Sequence, residues 1–157
     1  MKSLKSSCQR STRGQHSLEL LMGMVAVVMV ALALTDVAVL AVGWTINLNA
    51  ARNAARTAAS GNPENWLLNA SIALIGFPTN TIFDNPAIKV EDSGVTVIEK
   101  PNSAYGGQFK GSVQLSTKMS VHLPFSVASL IPSTIEFHAS QEFPITYVAP
   151  PVRMAAQ

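Results

Sequence analysis

An apolar run near the N-terminus constrains this chain more than any other feature of its sequence. Residues 20–35 carry no charge, Asp36 interrupts the run, and apolar character resumes over residues 37–46. A helix needs about 20 apolar residues to cross a bilayer core of about 30 Å. The sequence therefore predicts an N-terminal membrane-spanning helix, with its membrane segment at about residues 18–46.

The charges that flank this run predict how the helix is oriented in the membrane. Four basic residues and no acid precede the run, namely Lys2, Lys5, Arg10 and Arg13. Only Arg52 and Arg56 follow it closely. Because basic residues remain on the cytoplasmic side, the N-terminus is expected in the cytoplasm and the rest of the chain on the extracytoplasmic side.

Glu19 is the acid whose position most needs an explanation. It is the fifth residue after Gly14, and a carboxylate inside an apolar membrane helix costs on the order of 3 kcal/mol. Such a carboxylate persists when it meets a cation, and cleavage after Gly14 would create one as a new N-terminal amino group. Asp36 lies about 25 Å further along the helix axis, where an ordinary interfacial acid is expected.

The basic leader that ends in Gly14, followed by Glu19 in an apolar helix, resembles the prepilin signature of type IV filament proteins. Within that superfamily the chain is most similar to the TadE-like pseudopilins of tight-adherence (Tad) pilus systems. The residues that carry this narrower resemblance are RGQHSLEL at 13–20, Asp36, NAARNAARTAAS at 49–60, and the pattern of residues 111–144. The resemblance implies that a prepilin peptidase cuts the Gly14–Gln15 bond.

The resemblance also implies a function, partners and a location. The chain would be a minor pilin-like subunit that takes part in pilus assembly and adhesion, with other pilin or pseudopilin subunits and the inner-membrane assembly machinery as partners. Subunit contacts would involve Glu19, Asp36, Arg52 and Arg56. The alternative is a permanent single-span anchor that carries an extracytoplasmic binding domain. A cleaved secretory signal over residues 20–34 is a weaker alternative, because it leaves Glu19 and residues 37–46 unexplained.

Composition argues against several other classes of protein. Without the four basic residues of the leader, seven basic residues remain against nine acidic ones, so no basic patch for nucleic acid is expected. Cys8, the only cysteine, also lies in the leader, so no disulfide is expected after cleavage. His122 and His138 could face each other across two strands, but two histidines alone make a poor metal site. With no catalytic motif either, we expect no enzyme, cofactor or metal.

The remaining patterns predict an α+β fold. Residues 49–60 are rich in alanine, the best helix former, and Gly61, Asn62 and Pro63 should end the helix. Residues 64–75 predict a short amphipathic helix, and residues 79–87 a loop. Short strands are expected at 88–90 and 95–97, around a turn at 92–94.

Two longer stretches alternate between polar and apolar residues, at 112–123 and at 135–143, and predict the main antiparallel strands. The apolar face of such a sheet needs a cover, and the alanine-striped half of the first helix is available. The predicted organisation is a cleaved leader at 1–14, a long helix at 15–60 and a small extracytoplasmic domain at 61–157.

Overall fold

The computed structural model of the protein describes residues 13–77, 79–102, 105–125 and 132–151. Within these residues the fold is α+β, with a long apolar N-terminal helix and a small antiparallel sheet, which confirms the predicted class. The elements are α1 (Arg13–Ser60), α2 (Trp66–Leu74), β1 (Ala87–Ile88), β2 (Gly94–Glu99), β3 (Gly107–Gln108), β4 (Lys110–His122), β5 (Thr134–Pro144) and β6 (Val148–Ala149). Most of the leader, including Cys8, lies outside the described residues, as does most of the segment that joins β4 to β5.

Helix α1 is continuous over 48 residues, or about 72 Å, and ends where the sequence predicts. The Gly61 N–H donates to the Thr57 carbonyl, and the Asn62 side chain accepts a hydrogen bond from the Glu64 N–H at 3.0 Å. Pro63 then starts a single turn of 3-10 helix that leads into α2. These contacts satisfy backbone groups that a helix end otherwise leaves unpaired.

Strand β4 is the centre of the main sheet. Along one edge it pairs with the whole length of β5, from Ser112↔Pro144 to His122↔Thr134. Along the other edge it pairs with β1 and with β2, so both short strands are neighbours of the same long one. Val113, Leu115, Thr117, Met119 and Val121 are all at most 1% exposed, which confirms the predicted apolar face.

The first of the two short predicted strands is wrong in its bounds. A strand was expected at residues 88–90, but β1 is Ala87–Ile88 and Val90–Asp92 is a turn of 3-10 helix. The Ser93 hydroxyl accepts a hydrogen bond from the Ser116 N–H at 2.9 Å, and the Ser116 hydroxyl donates to the Asp92 carbonyl. Because these side-chain bonds replace the regular ladder, the chain leaves the sheet edge at this point.

The alanine stripes of α1 form the centre of the core. Six alanines are at most 3% exposed: Ala50, Ala51, Ala54, Ala55, Ala58 and Ala59. The residues of this core from α2 and β4 include Ala70, Leu74, Val113 and Leu115. Small side chains let the helix backbone come close to the sheet and to α2, so helix-on-sheet packing is as predicted.

Two residues of α1 that the sequence analysis did not single out set how closely the helix lies on the sheet. A Cβ on Gly43 would lie 2.6 Å from Val121 Cγ2, so any side chain there would have to displace the buried Val121. Asn47 is fully buried; its amide donates to the Phe137 carbonyl at 3.1 Å, and its Oδ1 accepts from the Thr117 hydroxyl at 2.9 Å. Asn47 therefore connects α1 to both long strands.

We expect Asn47→Leu to lower the free energy of unfolding by about 2 kcal/mol, because a buried hydroxyl and a buried carbonyl lose a partner. Adding Thr117→Val should recover part of this loss, since no unpaired hydroxyl then remains. Denaturant unfolding of the full chain in detergent, followed by near-ultraviolet circular dichroism, measures both effects. Asn53→Leu, on the exposed face of the same helix, is the control. A double variant no more stable than Asn47→Leu would contradict the bridging role.

Candidate assembly site on the N-terminal helix

The N-terminal half of α1 has none of the described domain packed against it. Between residues 16 and 35 every residue is exposed except Leu32, which is partly buried. The large apolar side chains Leu18, Leu20, Leu21, Met22, Met24, Val25, Val27, Val28, Met29, Val30 and Leu34 are 41–69% exposed. An apolar surface of this extent needs a cover of lipid or of other helices. By length and composition, α1 could cross a membrane.

Gly14 and Gln15, the residues on either side of the expected cut, both lie in the first turn of α1. Glu19 follows one turn later, and its side chain is 81% exposed. Its Oε2 atom lies 3.9 Å from His16 Nδ1, a long contact on an exposed surface that contributes little. The Glu19 carboxylate is therefore open to a partner from outside the chain.

Asp36 does not fit the expectation of an ordinary interfacial acid, because it is only 2% exposed. The chain that follows β4 covers it, and the Phe125 N–H donates to Asp36 Oδ1 at 3.4 Å. No group in the described part of the chain donates to Asp36 Oδ2. The predicted membrane segment of residues 18–46 thus overlaps the part of α1 that packs on its own domain, where Gly43 and Asn47 are buried too.

Arg52 and Arg56 lie on the exposed side of α1, away from the alanine stripes. The Arg56 guanidinium carbon is 5.8 Å from the centre of the Phe143 ring, a cation–π arrangement. No carboxylate of the described residues lies within 4.0 Å of either arginine. Their charges are therefore available to acids of another molecule.

Three lysines of the sheet domain, in contrast, already have acidic partners. The hydrogen bond that Lys89 donates to Asp92 raises the pKa of Lys89, and the one that Lys110 donates to Glu99, at 2.6 Å, raises the pKa of Lys110. The hydrogen bond with Lys118 at 2.9 Å lowers the pKa of Glu136. All three pairs are exposed to solvent, so each adds little to stability. Lys89, Lys110 and Lys118 are therefore already paired with acids of their own chain.

His122 and His138 do not face each other as the sequence suggested. His122 pairs with Thr134 across the strands, whereas His138 pairs with Lys118, four residues away along β4. His122 Nε2 instead lies 3.4 Å from Asp84 Oδ1. Among the described residues, no three His, Cys, Asp or Glu side chains are grouped so that they could hold a metal ion.

The chemistry of this helix is that of charge pairing. Near its start it has the exposed carboxylate of Glu19. Where it meets the domain it has the buried carboxylate of Asp36, whose Oδ2 atom accepts no hydrogen bond from the described residues. Further along it has the exposed guanidinium groups of Arg52 and Arg56. Sequence reasoning missed Gly43 and Asn47; a Gly and an Asn within a largely apolar helical stretch are the signal that could have indicated the close helix–sheet contact. No family model, no curated protein and no solved structure matches this chain.

Proposed function

We propose that the protein is a minor pilin-like subunit, a TadE-like pseudopilin of a Tad or type IV-like pilus. A prepilin peptidase would cleave it after Gly14 on the cytoplasmic side of the inner membrane, and α1 would then carry it into the filament. The observation that carries this proposal is Glu19, the single acid in the exposed apolar half of α1. A permanent anchor gains nothing from a carboxylate at this position, whereas a filament subunit could use it to bind the ammonium group of its neighbour.

The spacing between Gln15 and Glu19 supports the pairing. After cleavage the new amino group would be at Gln15, four residues or about 6 Å before Glu19 along the axis. A neighbouring helix displaced by about one turn therefore brings its ammonium group level with this carboxylate. Because an uncleaved chain has no amino group at this position, assembly would depend on processing.

The C-terminal half of α1 packs on the sheet and is part of the domain that would lie outside the membrane. In this proposal residues 16–35 remain in the membrane or in the filament core, and the domain built on residues 36–151 stands on the extracytoplasmic side. A rigid connection between the two favours a filament subunit, since α1 runs without a break from one to the other. The domain would then be exposed along the pilus, where it contributes to adhesion.

One observation favours the alternative, a single-span anchor with an extracytoplasmic binding domain. A cleft of about 290 Å³ lies beyond the end of α1, lined mainly by Trp66, Phe109, Val95 and Val97, with Glu64 and Lys100 also present. Its volume is at the lower limit for small-molecule sites. In an anchor this cleft would be the functional site, and Glu19 would have no task.

Processing distinguishes the two functions. In cells with an active prepilin peptidase, mass spectrometry of the membrane fraction should show a chain that begins at Gln15 or its cyclised pyroglutamyl form. Gly14→Val should abolish the cut, because the peptidase of this family cleaves after glycine. Gly23→Val is the matched control, since a side chain at Gly23 would meet nothing within 4 Å. An intact leader in the unmodified protein would refute the pilin proposal.

A further inference from the structure

The buried carboxylate of Asp36 lacks a sufficient partner within its own chain. It is 2% exposed, it accepts one long hydrogen bond from Phe125, and no described group donates to its second oxygen. Buried charges are normally paired and hydrogen-bonded on all their polar atoms. The described part of the chain therefore leaves this carboxylate incomplete, and a donor from another molecule would complete it.

The same helix carries the complementary charge. Arg52 is exposed and has no carboxylate within 4.0 Å among the described residues, whereas Lys89, Lys110 and Lys118 each have an acidic partner. Arg56 is held over the Phe143 ring, which leaves Arg52 as the less engaged of the two arginines. A planar guanidinium can donate two parallel hydrogen bonds to one carboxylate, the contact that Asp36 lacks.

The helix geometry prevents Arg52 from reaching Asp36 of its own chain. The two residues are 16 positions apart, which is about 24 Å along the axis and about 160° around it. Asp36 therefore lies on the domain side of α1 and Arg52 on the opposite side. Two copies with the same orientation in the membrane can bring the pair together only when one is displaced along the axis.

We propose that Asp36 of one copy binds the Arg52 guanidinium of a second copy, displaced by about 24 Å along parallel α1 helices. The contact is heterologous, so it repeats from copy to copy and builds an open filament rather than a closed dimer. It rests on the proposed function and specifies a second contact between subunits. It is distinct from the Glu19 contact, which needs a displacement of about 6 Å and hence a different neighbour.

The approach to Asp36 is from the membrane side. One turn below it on the same side of α1, Ala33 is exposed and Leu32 is partly buried, while Phe125 contacts Asp36 from the domain side. The 3.4 Å contact with the Phe125 N–H is near the outer limit for a hydrogen bond. The carboxylate therefore loses only a weak bond when it turns towards a charged donor. Phe125 is half exposed, so the residue that donates this weak bond lies at the surface of the domain.

Charge reversal in the full chain tests the contact in cells that assemble filaments. Asp36→Arg and Arg52→Asp should each lower the ratio of filament-bound to membrane-bound subunit about tenfold or more, and the double variant should restore it to within about threefold. Lys110→Gln removes an exposed cation from the sheet domain, is the control for the loss of a positive charge, and should change the ratio less than about twofold. If Asp36→Arg alone still folds, a double variant whose filament-to-membrane ratio is as low as that of Arg52→Asp would overturn the proposal.

Cross-linking tests the contact without a charge at the buried position. Two differently tagged chains, both with Cys8→Ser, would carry Asp36→Cys and Arg52→Cys respectively and be treated with a short bismaleimide in cells that assemble filaments, where copies can be displaced along the axis. The mixed product should exceed that of the Asp36→Cys and Thr45→Cys pair about tenfold, because Thr45 is on the Arg52 side of α1 but about 10 Å lower. Equal yields would overturn the proposal.

The outcomes also separate this contact from the pilin function. Suppose that the chain is cleaved at Gly14 and that Glu19→Ala is lost from filaments, but that the Asp36 and Arg52 cross-link does not form. This result would leave the pilin function intact and reject this contact alone. The specific cross-link in a chain that keeps its leader would establish the contact and reject the pilin function.

Discussion

Replacing Glu19 with alanine should leave the protein in the membrane and remove it from filaments. Insertion should be unchanged or slightly better, because a costly charge leaves the apolar half of α1. Incorporation should fall, because the amino group of the neighbouring subunit would be buried without a partner. Breaking a buried pair costs about 3–5 kcal/mol, which corresponds to a decrease of at least about 100-fold in the filament-to-membrane ratio. Cleavage after Gly14 should be affected much less.

The decisive measurement is the amount of subunit in sheared surface filaments relative to the amount left in the membrane. Glu91→Ala removes an exposed acid from the sheet domain and is the control for a general change in charge. Glu19→Asp keeps the charge but shortens the side chain, so an intermediate ratio is expected. A permanent anchor predicts no effect of Glu19→Ala beyond insertion. An unchanged ratio would leave the pilin proposal without its mechanism.

Replacing Gly111 with alanine should destabilise the sheet domain by about 3 kcal/mol, through steric overlap and backbone strain together. Gly111 has φ +155°, in the region that favours glycine, and a Cβ there would overlap the carbonyl oxygen of Thr96 on β2. The overlap is with backbone, so no side chain can rotate away to relieve it. For a domain of this size, the midpoint of thermal unfolding should fall by more than about 10 °C.

The partner strand supplies a matched control for Gly111→Ala. Gly94 lies in β2, and a Cβ added there would meet nothing within 4 Å. Gly94→Ala should therefore leave the unfolding midpoint almost unchanged. Thermal unfolding of both variants, followed by circular dichroism in the same detergent, gives the comparison. Equal midpoints for the two variants would show that the close approach of β4 and β2 at Gly111 is not required.

Local patterns in the sequence determined the elements and their faces. Alternation of apolar residues predicted β4 and β5, because successive side chains of a strand point to opposite faces. Alanines at spacings of three and four predicted the buried stripe of α1, because such positions share one side of a helix. Gly61, Asn62 and Pro63 predicted the end of α1, since their preferences act on the backbone of the same few residues. The expected site at Gly14 and Glu19 rests on such local spacing as well, and it stays a prediction.

Only the tertiary structure decided what happens where distant segments meet. The burial of Asp36 depends on the chain after β4, which is 89 residues away at the Phe125 contact. The bridge from Asn47 depends on Thr117 and Phe137, and the departure of Val90–Asp92 from the sheet depends on Ser116. A residue's own neighbours in sequence cannot reveal such partners, because solvation and hydrogen bonding are set by whatever the fold places against it.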